Sequence, residues 1–231
     1  ESLPTRRRKA LGRKRLMGKP YLNRHGQTDW NLIGRIQGCQ DIPLNAKGRS
    51  QADALRQAMA ARPVDAVYVS PLIRARATAQ VILSLYPVPE RVIKNLEEIH
   101  YGLWEGMSLE EIKARYPGEY DLWWRGDPEY APPGGESLSQ AMERTAQAAE
   151  LILNEMKEKN LQAAAVVSHG ASISCMLNWL ILGNRRSLEK EFPVYNAAVT
   201  TVEVDGETGK CWLKELNDSF HLGGELQNSE K

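Results

Sequence analysis

The chain has 231 residues, 42% of them hydrophobic and 26% charged, which suits one globular domain with a full core. No stretch approaches the ~20 apolar residues of a membrane span. Three cysteines (Cys39, Cys175, Cys211) without close pairing argue against a disulfide framework or a zinc site and fit a reducing, cytoplasmic compartment. The formal charge of +1 is uneven: residues 1–19 hold eight Lys/Arg and one acid, which leaves 22 bases and 28 acids beyond them. This basic extension has no apolar run and no interleaved aromatic residue. It reads as a solvated tail rather than a secretory signal or a nucleic-acid arm, with the folded domain expected over residues 20–231.

Tyr21-Leu22 ends a first strand, and Arg24, His25 and Gly26 follow at once. Neighbouring side chains of a continuing strand point to opposite faces, so the strand must stop if Arg24 and His25 are to serve one site. Gly26 permits that turn. Asn45 caps a helix from Ala46 to Arg62 with Ala52, Leu55 and Met59 on one face. Asp65 to Val69 is a second strand, and Pro71 opens a helix running to about Tyr86. Arg91 to Lys94 is a third strand, leading to Glu97 and Glu98.

Ser108 and Glu111 form a capping box for a helix ending near Pro117. Residues 126–136 are a Pro- and Gly-rich loop. Ser137 caps a long helix to about Lys159, with Ala141, Thr145, Ala148 and Ile152 inward. Ala163 to Val167 is a buried strand of the parallel type; it ends in Ser168-His169-Gly170 and opens a helix over residues 171–182. Asn196 to Val204 and Lys210 to Leu216 are two late strands about an Asp205-Gly206 turn.

Alternating strands and helices predict a single-domain three-layer α/β/α sandwich with a mostly parallel sheet. Ligands of such sheets bind beyond the carboxyl ends of the strands. Those ends carry Arg24 and His25, then Ser70 and Arg74, then Glu97 and Glu98, then His169. Two cations, two histidines and a carboxylate are the equipment for holding and attacking a phosphate.

With these residues assembled, the chain resembles the histidine phosphatase superfamily, also called phosphoglycerate mutase-like, over roughly residues 20–224. The motifs are Arg24-His25-Gly26, Asn31, Arg74 within Ser-Pro-Leu-Ile-Arg-Ala, Glu98 within Glu-Ile-His-Tyr-Gly, and His169-Gly170. Gln27 stands where Glu is frequent and Asn23 where an apolar residue is usual. The resemblance implies that His25 is the nucleophile and forms a phosphohistidine, while Arg24, Arg74 and His169 grip the phosphate. Glu98 is the implied acid–base group, with Glu97 the competing choice. Asn31, Gln37, Gly38 and Gly170 are implied to line the substrate site, and the helix after His169 to add its dipole. No metal or cofactor is implied.

Mutases of the superfamily carry an insertion with extra cations after the Glu98 motif. Here Trp123 to Pro128 offers Arg125 alone, which favours hydrolysis of a small phosphomonoester. The alternatives are a bisphosphoglycerate-dependent mutase and a non-catalytic binding protein. Asn217 to Gly223 is similar to tails of phosphatases in the family, but Tyr101 stands where the metal-independent phosphoserine phosphatases place a histidine. No nucleic-acid or membrane partner is expected, and a homodimer is allowed.

Overall fold

A computed structural model of the chain describes residues 16–223. The elements run β1 (Leu16–Arg24), α1 (Asp29–Leu32), α2 (Ala46–Ala60), β2 (Ala66–Val69), α3 (Ile73–Leu83), β3 (Glu90–Val92), α4 (Leu109–Arg115), α5 (Pro117–Trp124), α6 (Leu138–Glu158), β4 (Ala163–Ser168), α7 (Gly170–Leu177), β5 (Val199–Asp205) and β6 (Cys211–Asp218). Six strands form one sheet in the order β3-β2-β4-β1-β5-β6. β1 to β4 run parallel, and β5 pairs antiparallel with both β1 and β6.

Strand alternation sends successive side chains to opposite faces, and each face finds a helical layer. Tyr68, Ala164, Val166 and Val202 share one core with Ala148, Ile152 and Met156 of α6 and Ile173 and Met176 of α7. Val67, Val69, Ala165, Val167 and Val199 share the other with Leu55 and Met59 of α2 and Ala75, Ala79 and Ile82 of α3. The expected three-layer sandwich is thus the observed one. The inward positions expected of α6, Ala141, Thr145, Ala148 and Ile152, are all buried.

Local signals located the caps well. Asn45 accepts from the Gly48 amide at 2.8 Å, and Ser108 and Ser137 each close a capping box. Some boundaries differ. β1 starts at Leu16, so residues 16–19 belong to the sheet; Lys19 pairs with Ala163 and Gly18 with Val204. Residues 1–15 of the expected basic extension lie outside the described residues. α3 begins two residues after Pro71, because Leu72 stays extended as its cap. The helix expected to end near Pro117 is followed directly by a second one, α5, with that proline at its first position. Trp123 of α5 is drawn in by Tyr101 and Trp104, with ring centroids 5.3 and 6.0 Å away.

α2 approaches the turn after β1 backbone to backbone. A Cβ on Gly26 would overlap the Gly48 carbonyl, and one on Gly48 would overlap the Gln27 backbone. Alanine exceeds glycine in a helix by about 1 kcal/mol, yet overpacking a close contact costs about 1–3 kcal/mol. Gly48→Ala is therefore expected to lower the urea midpoint and to impair any activity of the His25 turn. A stabilised variant would show that the two segments do not bear on each other.

Candidate active site

Register decides which side chains meet. Arg24 pairs with Ser168 on the neighbouring parallel strand, so the next residues, His25 and His169, leave the sheet side by side. Their ring centroids are 5.1 Å apart. Val69 of β2 pairs with Val167, which brings Ser70 to the same edge. Ser70 Oγ lies 2.8 Å from His169 Nε2.

His25 is buried, and its Nδ1 lies 2.6 Å from the Gly26 carbonyl. A carbonyl only accepts, so Nδ1 carries the proton and Nε2 presents a lone pair. Arg74 Nε donates to that Nε2 at 3.3 Å. The Arg74 guanidinium is fully enclosed, and its Nη1 and Nη2 donate to the carbonyls of Gln40 (2.7 Å) and Gly38 (2.8 Å). Arg24 Nη1 donates to the Val194 carbonyl at 2.7 Å. Gly170 leaves room for this cation: a Cβ there would lie 3.3 Å from Arg24 Cζ.

Burial and the charges of Arg74 and Arg24 push the His25 pKa well below its ordinary 6.5. Burial, Arg74 and His25 do the same to His169. Ser70 Oγ also accepts the Leu72 amide at 3.4 Å. With Nε2 taken by Ser70, His169 Nδ1 is a buried polar atom with no hydrogen-bond partner. Burial, with Glu97 and Glu105, pushes the Cys39 thiol up to about 12, which keeps it protonated near neutral pH.

Glu98 sits at the amino end of α7. Its Oε1 accepts from the amides of Ile99 (2.9 Å) and Ser172 (3.0 Å) and from Ser172 Oγ (3.2 Å). Its Oε2 accepts from the Ala171 amide alone, at 3.2 Å. The Ala171 and Ser172 amides in the first turn of α7 therefore serve Glu98. The Glu97 main chain is used structurally, its carbonyl accepting from Arg144 Nη1 at 2.8 Å.

Asn31 and Gln37 are held by Thr28 rather than by the histidines. Asn31 Oδ1 accepts from the Thr28 amide at 3.2 Å, and Thr28 Oγ1 donates to Gln37 Oε1 at 2.9 Å.

Several supports carried no motif that sequence reasoning could use. Thr78 Oγ1 accepts from the Gly26 amide at 3.1 Å, and Asn196 Nδ2 donates to the His25 carbonyl at 2.8 Å. Arg144 pairs with Glu136 and donates to the carbonyls of Asn95, Glu97 and Glu98. Ala197, at a left-handed φ of 55°, donates its amide to the Arg24 carbonyl at 3.0 Å and accepts from His221 Nε2 at 2.8 Å.

The profile of the histidine phosphatase superfamily, branch 1, matches residues 21–219. The chain belongs to the histidine phosphatase superfamily. It is similar to phosphoserine phosphatase 1 of Hydrogenobacter thermophilus, with 31% identity over 90% of this chain and 95% of that one. A 2,3-bisphosphoglycerate-dependent phosphoglycerate mutase 2 of Gloeobacter violaceus is 37% identical over a shorter span, 67% of this chain and 71% of its own. Among solved structures, YhfR of Bacillus stearothermophilus superposes with a TM-score of 0.79 at 31% identity, covering 89% of this chain and 99% of that one. Among the described residues, no group of three or more His, Cys, Asp or Glu side chains could hold a metal ion, and no helix is long and apolar enough to cross a membrane.

Two buried neutral histidines set a pH dependence. Unfolded, each takes up a proton as pH falls through about 6.5; folded, each resists it. Stability is therefore lost as pH drops below 6.5, by about 1.4 kcal/mol per pH unit for each such histidine. Burial also lowers His221, which adds to the same slope. Urea midpoints measured between pH 7.5 and 5 should fall accordingly, and His169→Asn should flatten the slope. A flat profile in the parent chain would contradict the burial of neutral rings.

Proposed function

We propose that this protein hydrolyses small phosphomonoesters through a phosphohistidine at His25 Nε2. The observation that carries the proposal is the unprotonated Nε2 enclosed beside Arg74 Nε at 3.3 Å. A histidine neutral at pH 7 needs no activating metal to attack phosphorus. As the N–P bond forms and the P–O bond to the alcohol breaks, positive charge develops on the imidazole. The Gly26 carbonyl accepts the Nδ1–H bond and stabilises that charge. Arg24 and Arg74 meet the phosphoryl oxygens, and the His169 Nδ1–H adds a neutral donor.

Glu98 supplies the proton to the leaving oxygen. Its Oε2, with a single contact, is the oxygen suited to carry it, while Oε1 is committed to three donors. In the second half-reaction the same oxygen takes a proton from water as that water attacks phosphorus. The N–P bond breaks, and His25 returns to its starting form.

Hydrolysis is favoured over mutase chemistry by the shortage of cations in the 123–128 segment. Arg125 is the single base there, and it is exposed at the end of α5. A second phosphoglycerate would find little to hold its carboxylate. The match to a phosphoserine phosphatase over 90% of this chain supports the same reading.

His25→Ala should abolish turnover and acid-labile phosphate labelling alike. Activity on a generic phosphomonoester should survive EDTA; complete loss, restored by Mg²⁺, would sink the mechanism. Efficient conversion of 3- to 2-phosphoglycerate would reverse the choice of hydrolysis over transfer.

Glu98→Gln separates the steps. General acid–base groups contribute about 10²–10⁴-fold, so alkyl phosphates should lose that much in the phosphorylation rate. p-Nitrophenyl phosphate, whose leaving group departs as an anion, should lose far less. Rapid-quench labelling on both substrates reads this directly, and equal losses would remove Glu98 from the acid role.

A further inference from the structure

Arg74 is held by the carbonyls of Gly38 and Gln40, so its geometry is only as firm as the 38–40 turn. That turn has no regular secondary structure. It lies against Glu105, a carboxylate the proposed chemistry does not use. The Glu105 side chain is 3% exposed. Its Oε1 accepts from the amides of Cys39 (3.0 Å) and Tyr101 (3.1 Å), and its Oε2 from Gln40 Nε2 (2.7 Å). The half-exposed His100 faces it, with Nε2 at 3.8 Å. Gly38, at φ +52°, presses so closely that a Cβ would overlap the carboxylate.

A buried carboxylate is costly unless donors meet it. Here the donors come from two segments far apart in sequence. One holds Arg74; the other, Glu98 to Tyr101, carries the acid–base carboxylate. The Cys39 thiol, 3.4 Å from the Glu98 carbonyl, bridges the same two segments.

We infer that Glu105 is a positioning residue, whose carboxylate clamps the 38–40 turn to the Glu98–Tyr101 segment and thereby fixes the Arg74 guanidinium against His25. This rests on the phosphatase reading, in which Arg74 grips the phosphate. Without the clamp, the two carbonyls that match the guanidinium fork drift, and a fully enclosed arginine has no solvent to turn to. A misplacement near 1 Å costs on the order of 10²-fold in rate.

The test is a double-mutant cycle between Glu105→Ala and Arg74→Ala. It is read by kcat/KM on p-nitrophenyl phosphate and by the dissociation constant for orthovanadate, with melting temperature alongside. Glu105→Ala is expected to weaken vanadate binding and to lower kcat/KM by on the order of 10²-fold. The double variant should behave like Arg74→Ala alone, because Glu105 acts through Arg74. Glu105→Gln keeps an acceptor for the Cys39 and Tyr101 amides and should restore most of the loss; it also carries the cycle if the alanine variant fails to fold. Vanadate affinity unchanged in Glu105→Ala, or losses that multiply in the double variant, would overturn the inference. A parent chain that binds vanadate but turns over no phosphomonoester would instead sink the phosphatase reading, and the cycle would still be read from vanadate.

Discussion

Two parallel strands that end together, β1 at Arg24 and β4 at Ser168, impose the geometry from which the rest of the site follows. In-register pairing makes the next residue of each strand a neighbour of the other. Both are histidines, and both leave the sheet at the edge where an α/β fold exposes its strand ends. β2 on the far side of β4 adds Ser70 at the same level, and α3, which follows it, brings Arg74. The amide of His25 donates to the Ser168 carbonyl at 3.1 Å, so the ladder continues one step beyond β1 itself. A slip of one residue would turn every side chain of β1 to the other layer, with Tyr21 and Leu22 exchanging cores.

The electrostatics follow from how the cations are satisfied. Arg24 and Arg74 donate to the neutral carbonyls of Val194, Gly38 and Gln40. Carbonyls meet the hydrogen-bonding requirement of a guanidinium without cancelling its charge. The enclosed space around His25 therefore stays electropositive, which repels a proton from the imidazole and favours a phosphate dianion. Glu98, a carboxyl group contributed by the strand-end loops, accepts from the Ala171 and Ser172 amides of α7. Burial and the charges of Arg74 and Arg24 together keep the His25 imidazole neutral.

Much of this was legible in the sequence because it is encoded locally. Caps at Asn45, Ser108 and Ser137, the unbroken apolar run of the buried strand β4, and the strand-end positions of Arg24, Arg74, Glu98 and His169 all depend on a few adjacent residues. What was not legible depends on tertiary contact. Thr78 looks like any helical threonine until Gly26 is seen to donate to it. Arg144 reads as the solvated side of α6, yet it holds three carbonyls of the Glu98 segment. α5 was missed because its buried partners, Tyr101 and Trp104, lie before it in sequence and its own pattern has no apolar stripe. β1 was expected to begin late because the basic residues obscured four positions that β4 and β5 recruit.

The segment before β5 shows where the fold accepts cost to keep the His25 turn still. Ala197 is a non-glycine residue in the left-handed region, at a cost of order 1–3 kcal/mol. Its conformation lets one short stretch do three things. Val194 receives Arg24, Asn196 donates to the His25 carbonyl, and Ala197 donates to the Arg24 carbonyl. These bonds hold Arg24 and His25, while Gly48 of α2 presses on the next residue, Gly26. The outer carbonyl of Ala197 is taken by His221, from the turn that follows β6. β5 therefore starts at Val199 rather than at Asn196: Asn196 and Ala197 bond to the His25 turn, and the Ala198 amide turns back to the Tyr195 carbonyl at 3.2 Å.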